Sequence, residues 1–237
     1  MLDSRECWLQ DTCKKFKRDS SCSTNDTFCI KQFKLDKLYD LSLLSDKQKK
    51  HIKLWAEANG TDRKEFTKLK EIEKNIDSFV KNGNNLYLYS HTCGNGKTAW
   101  STRLIQSYLE NNWYNCDLKC IALFIHVPKY LLAIKQNISE KSEYVEFINK
   151  NIFSADVVVF DEIATKIATP FEHENLLNII NNRITDGKSN IYTSNLSPME
   201  LKENLGERLF SRIISLSQII ELKGKDKRGS VKRKEED

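Results

Sequence analysis

Short apolar runs alternate along most of this chain with longer stretches whose apolar residues recur at helical spacing. The runs Leu86–Tyr89, Ile121–His126, Val157–Phe160, Ile191–Ser194 and Gln218–Leu222 read as strands. Helices are predicted over Ala99–Leu109, Pro128–Gln136, Tyr144–Lys150, Glu172–Ile184 and Pro198–Leu205. The last opens on Ser197-Pro198-Met199-Glu200, a capping box with proline at the first helical position. Upstream, Phe66, Leu69, Ile72, Ile76, Phe79 and Val80 make one stripe on a predicted helix Glu65–Val80, which ends at the C-cap signal Asn82-Gly83. Strand and helix in alternation predict an α/β domain, a parallel sheet flanked by helices. Ahead of it, a Lys/Leu-rich stretch from Lys34 to Ala58 reads as helical, and Asn59-Gly60-Thr61-Asp62 reads as a linker. The expected organisation is a small cysteine-rich, partly helical N-terminal domain over 1–62, the α/β domain over 63–229, and a charged tail over 230–237.

Where the first strand ends, the chain reads Ser90-His91-Thr92-Cys93-Gly94-Asn95-Gly96-Lys97-Thr98, and a predicted helix follows. Strand, glycine-bearing loop and Gly-Lys-Thr at a helix start form a phosphate-binding loop. Gly94 and Gly96 allow a tight backbone whose N–H groups point at phosphate oxygens. Lys97 supplies a charge for the β/γ-phosphates, and the Thr98 hydroxyl can ligate Mg²⁺. The full pattern, G-x-x-x-x-G-K-[ST], has a glycine where this chain has His91.

A second pattern lies 64 residues beyond Lys97, where Asp156-Val157-Val158-Val159-Phe160 runs into Asp161-Glu162. An unbroken apolar run of this kind suits a central parallel strand buried on both faces. Its acids then emerge at the carboxyl end, where ligands sit in open α/β sheets. Asp161 is placed to hold Mg²⁺, and Glu162 to polarise an attacking water. Together the two patterns predict ATP binding and hydrolysis.

Composition changes this picture little. Apolar residues make up 39% and charged residues 30% of the 237, a balance typical of a soluble globular chain. No apolar run has the length of a membrane span and no signal-peptide core opens the chain, so no membrane partner and a cytoplasmic location are expected. The net charge of +5 is uneven, with six basic residues and one acid between Lys223 and Arg233. Such a segment is either solvated or follows a phosphate backbone.

The order Gly94-Asn95-Gly96-Lys97-Thr98, Val159-Phe160-Asp161-Glu162, Thr193-Ser194-Asn195 and Gly206-Glu207-Arg208-Leu209-Phe210-Ser211-Arg212-Ile213 resembles an AAA+ P-loop ATPase. More narrowly, it resembles replicative helicase loaders of the DnaC/DnaI type, in particular those of phages of low-GC Gram-positive bacteria. The resemblance covers roughly Phe66 to Arg228. It implies that Asn195 is sensor 1, which positions the lytic water. It implies that Arg212 is an arginine finger reaching the nucleotide of a neighbouring subunit, with Arg208 as the competing candidate. It gives Arg228 the place of a sensor 2 arginine. It further implies self-association through AAA+ interfaces, with a DnaB-type replicative helicase and single-stranded DNA as partners. In the bacterial host cytoplasm the protein would load that helicase during DNA replication. An IstB-like transposition-regulating ATPase, or a nucleotide-gated adaptor with negligible turnover, are the alternative readings.

Four of the seven cysteines, Cys7, Cys13, Cys22 and Cys29, fall in the first 30 residues. In a reducing compartment they point away from disulfides. The spacings contain no Cys-x2-Cys knuckle, so structural Zn²⁺, free thiols and an iron–sulfur cluster all remain open. The apolar residues Leu35, Leu38, Leu41, Leu44, Ile52 and Trp55 of the following stretch either pack on that segment or face a partner.

Overall fold

The structure, a computed structural model, describes residues 29–50, 54, 60, 62–115, 117–137 and 141–226. Five strands, β1 (Asn85–Tyr89), β2 (Ala122–His126), β3 (Val157–Asp161), β4 (Ser189–Ser194) and β5 (Ser217–Glu221), form one parallel sheet in the order β2-β3-β4-β1-β5. Each matches a predicted run to within a residue or two at either end. Helices among the described residues are α1 (Ile30–Leu41), α2 (Asp46–Lys49), α3 (Arg63–Lys74), α4 (Ile76–Lys81), α5 (Lys97–Asn112), α6 (Val127–Gln136), α7 (Glu143–Asn151), α8 (Pro170–Thr185) and α9 (Pro198–Ile214). None is long and apolar enough to cross a membrane.

Strands β1 to β4 are buried on both faces because helices cover the sheet on both, while the edge strand β5 is partly exposed. Their alternate residues divide between two cores, as a period of two requires. Leu86, Leu88, Val157, Val159 and Ile191 pack with α1, α3, α4 and α5. Tyr87, Val158, Phe160 and Tyr192 pack with α6, α7, α8 and α9. The order of strands places β4 between β1 and β3. The phosphate loop after β1 and the acids ending β3 therefore flank the end of β4.

Three helical expectations differ from the structure. Glu65–Val80 is two helices that meet at Asn75 (φ −109°, ψ 26°). There the Asn75 side chain donates to the Glu71 carbonyl at 3.1 Å, a local bond that competes with helix continuation. The stretch from Lys34 to Ala58 is not one helix either. α1 stops at Leu41, Leu43 takes a left-handed φ of 59°, and Ser45 with Gln48 then starts the short α2. In the third case, Pro198–Leu205 continues as α9 to Ile214 across Gly206, whose φ of 73° and ψ of 164° kink it.

The structure also places the first helix differently from the expected boundary near residue 59. Leu35, Leu38 and Tyr39 of α1 are fully buried, in one core with α5 and the sheet. Arg103 of α5 bonds Glu73 of α3 at 2.8 Å and Glu110 at 3.0 Å, and the Tyr39 hydroxyl donates to Glu110 at 3.2 Å. On the edge strand β2, Phe124 donates its N–H to the Ser42 carbonyl at 2.9 Å. Residues 30–44 are thus built into the α/β core rather than set apart from it.

Candidate nucleotide site

The phosphate loop hangs between β1 and α5. Its two left-handed residues are glycines, Gly94 (φ 76°) and Gly96 (φ 105°), the latter at the start of α5. His91 is not among the left-handed residues, so this loop places no glycine-only conformation at its first position. The His91 ring instead stands edge-on to Tyr89 and 3.7 Å from the Glu200 carboxylate. Asn95 clamps the loop from inside. It is 3% exposed, and its amide donates to the Ser90 hydroxyl and, at 2.8 Å, to the Leu222 carbonyl beyond β5. Its side-chain carbonyl is buried without a hydrogen-bond partner. The Lys97 ammonium donates to the carbonyls of Ser90 (3.3 Å) and Thr92 (3.2 Å).

At the end of β3, Asp161 is 3% exposed and accepts from Thr98 at 3.0 Å and from Thr193 of β4 at 2.7 Å. Burial pushes its carboxyl above the usual aspartate range, against the two hydroxyls that favour the ionised form. The donor set fits Mg²⁺: a threonine hydroxyl and a carboxylate are hard oxygens, already side by side at the helix start. A divalent cation would relieve the cost of that buried charge. The next residue, Glu162, turns sharply, with φ 59°, and its N–H donates to the Thr193 hydroxyl at 3.0 Å. Its half-exposed carboxylate lies 3.2 Å from Nε2 of His126 at the end of β2. A left-handed non-glycine residue is costly, and such positions concentrate at functional sites.

A cavity of about 350 Å³ opens above these groups. Cys93, Gly94, Asn95, Gly96, Lys97 and Thr98 line it on one side, and Glu162, Thr193, Ser194 and Asn195 on the other. Of the predicted residues, the structure therefore brings together Cys93 to Thr98, Glu162 and Asn195 around one space, with Asp161 bonded to Thr98 beside it, while His91 and Thr92 do not line it. Arg208 and Arg212 do not line it; both are exposed on the second half of α9. Arg228, Cys7, Cys13 and Cys22 lie outside the described residues. Cys29 caps α1, its sulfur accepting from the Gln32 N–H at 3.5 Å. No group of three ligating side chains able to hold a metal occurs among the described residues.

Several residues at this site carry no assignment from sequence. Thr193 bridges Asp161 and Glu162, and its signal was its place at the end of a strand next to Asn195. His126 had the same signal, the carboxyl end of a parallel strand. Lys47 and Gln48 also line the cavity, and Gln48 donates to Thr102 at 3.2 Å. Nothing local in the sequence pointed to those two.

No family model matches the chain, and no curated protein does. Solved structures do. The DnaC helicase loader matches at a TM-score of 0.57 with 19% identity, over 79% of this chain and 99% of that one. A putative primosome component from Streptococcus pyogenes serotype M3 matches at 0.60 with 22% identity, over 81% and 98%. The replication initiator DnaA, bound to AMPPCP and single-stranded DNA, matches at 0.53 with 17% identity, over 71% of this chain and 48% of that one. The fold is that of AAA+ domains.

Proposed function

We propose that this protein is an ATP-dependent loader that places a hexameric replicative helicase of the DnaB type on single-stranded DNA. The observation that carries the nucleotide half is the pair of hydroxyls, Thr98 and Thr193, converging on buried Asp161 beneath the phosphate loop. The loader half rests on the fold shared with the DnaC loader, over 99% of the chain in that structure.

In this reading the loop amides and Lys97 hold the phosphates of ATP. Thr98 and Asp161 hold Mg²⁺, which supplies charge neutralisation on those phosphates. The Glu162 carboxylate takes a proton from water, and His126, 3.2 Å away, orients it. Asn195, at the exposed end of β4, positions that water. Arg212, with Arg208 as the alternative, points outward to serve the site of a neighbouring copy. Arg212→Ala is expected to keep nucleotide affinity within about twofold while hydrolysis falls roughly 10³-fold. Normal ATPase activity of that variant at every protein concentration would remove Arg212 from the role.

Zn²⁺ on Cys7, Cys13, Cys22 and Cys29 is the reading for the cysteine cluster, and elemental analysis of protein purified without chelator checks it. The loader reading is tested by mixing the full chain with the cognate replicative helicase. A complex on size-exclusion chromatography is expected, together with ATP-dependent capture of single-stranded DNA by the helicase. Binding to DNA should be sequence-tolerant and weakened by salt. A protein that ignores the helicase and captures a transposase would replace this reading with the IstB-like one.

A further inference from the structure

The short helix α2 is fastened to the flank of α5, one turn from the phosphate loop. Gln48 donates its side-chain amide to the Thr102 hydroxyl at 3.2 Å, and Gln106 donates its own to the carbonyls of Gln48 (2.5 Å) and Lys50 (3.3 Å). Thr102 lies four residues after Thr98, so the two share one face of α5. On that face Thr98 bonds Asp161. Helix α2 therefore stands on the Asp161 side of the cavity. Its lysines divide. Lys49 is tied to Asp40 (2.6 Å) and Asp46 (3.2 Å). Lys47 bonds no carboxylate of the described residues, and it lines the cavity together with Gln48, the loop and Glu162.

We propose that Lys47 is a second cation of the nucleotide site, one that recognises the terminal phosphate of a nucleoside triphosphate. The inference rests on the nucleotide-binding reading above. In that reading Mg²⁺ on Thr98 and Asp161 meets the β- and γ-phosphates. The side of the cavity that carries α2 is then the side of the terminal phosphate, not of the base. An ammonium on a four-carbon stem is a mobile point charge, suited to a phosphate oxygen that a diphosphate lacks. The contact is made with a triphosphate and lost once the γ-phosphate leaves. Lys47 also comes from outside the loop and strand motifs, on a helix that follows α1 directly. The N-terminal part of the chain thereby distinguishes the two nucleotide states.

A charge that meets only the third phosphate has a signature that packing lacks: it separates ATP from ADP, and it fades with salt. The test is equilibrium binding of Mg·ATP, Mg·ADP and adenosine to the full chain, for the natural protein, Lys47→Ala, Lys47→Glu and Lys50→Ala. Lys47 and Lys50 are both exposed, so all three variants are expected to fold, and Lys50 carries the same charge without lining the cavity. At low salt Lys47→Ala should bind ATP about fivefold more weakly and Lys47→Glu about 20-fold, with ADP changed less than about twofold and adenosine unchanged. The loss should shrink at high salt, and Lys50→Ala should bind as the natural protein does. Unchanged ATP binding by Lys47→Glu would overturn the proposal while leaving the nucleotide site intact. An equal loss for ADP or adenosine would overturn it too, because the effect would then not lie at the terminal phosphate. An equal loss in Lys50→Ala would replace a contact with a diffuse field. If the natural protein binds none of the three, the nucleotide reading falls and the role of Lys47 with it.

Discussion

Replacing Lys97 with alanine is expected to weaken Mg·ATP binding by roughly 100-fold or more, since charge-assisted bonds to phosphate are each worth about 1.5–3 kcal/mol. The loss should reach ADP as well, because the ammonium serves phosphates and not the base. Replacing Glu162 with glutamine is expected to behave differently. Its carboxylate lies against His126 and bonds neither Thr98 nor Asp161, so the oxygens proposed for Mg²⁺ keep their own partners. Binding should stay near that of the natural protein while hydrolysis falls by about 10²–10⁴, the usual contribution of a positioned general base. Titration calorimetry and a phosphate-release assay on the two variants separate the roles. Equal loss of binding in both would show that Glu162 is not a base standing apart from the metal oxygens.

The second large effect lies at the opposite end of the sheet. Arg183 of α8 is fully buried, and no carboxylate of the described residues bonds it. Its guanidinium donates to Asn190 (2.6 Å) and to the carbonyls of Ile152 (2.5 Å), Ala155 (2.9 Å) and Ser189 (2.7 Å). Burial pulls its pKa down to about 10, still charged at neutral pH. Asn190 passes the network on to Asn85 of β1 at 2.9 Å. One side chain thus joins the end of α7, the approach to β3, β4 and β1. Arg183→Ala should cost about 3–5 kcal/mol of unfolding free energy, because the carbonyls lose their donors inside the protein. Arg183→Lys should recover little, since an ammonium cannot reach acceptors spread across a planar fork. Urea denaturation measures both, and a loss below about 1 kcal/mol for Arg183→Ala would show the network to be dispensable.

Arg183 also marks the limit of what the sequence discloses. In Asn181-Asn182-Arg183 it reads as an exposed helix charge, because its partners are mostly backbone carbonyls with no residue-type signature. The strands were legible for the opposite reason: five apolar runs, each closed by a polar or glycine-bearing turn, have few other places to go. The loop from Gly94 to Thr98 and the pair Asp161-Glu162 stood out as candidates because the chemistry proposed for them needs those residue types. The left-handed turn at Glu162 was not, since nothing about a glutamate announces it. The apolar stripe of α1 announced a covered face but not what covers it. Leu35 and Leu38, readable as a partner surface, are spent on the core shared with α5. Gln48 was invisible at the site because its partner there, Thr102, lies more than fifty residues away along the chain.

The docking of α1 along α5 sets how force moves through the molecule. α5 carries Lys97 and Thr98 at one end and is gripped along its flank by Tyr39 through Glu110 and by Gln48 through Thr102, one turn from Thr98. A displacement of α1 would therefore reach Lys97 and Thr98 along a single helix, not through loop backbone.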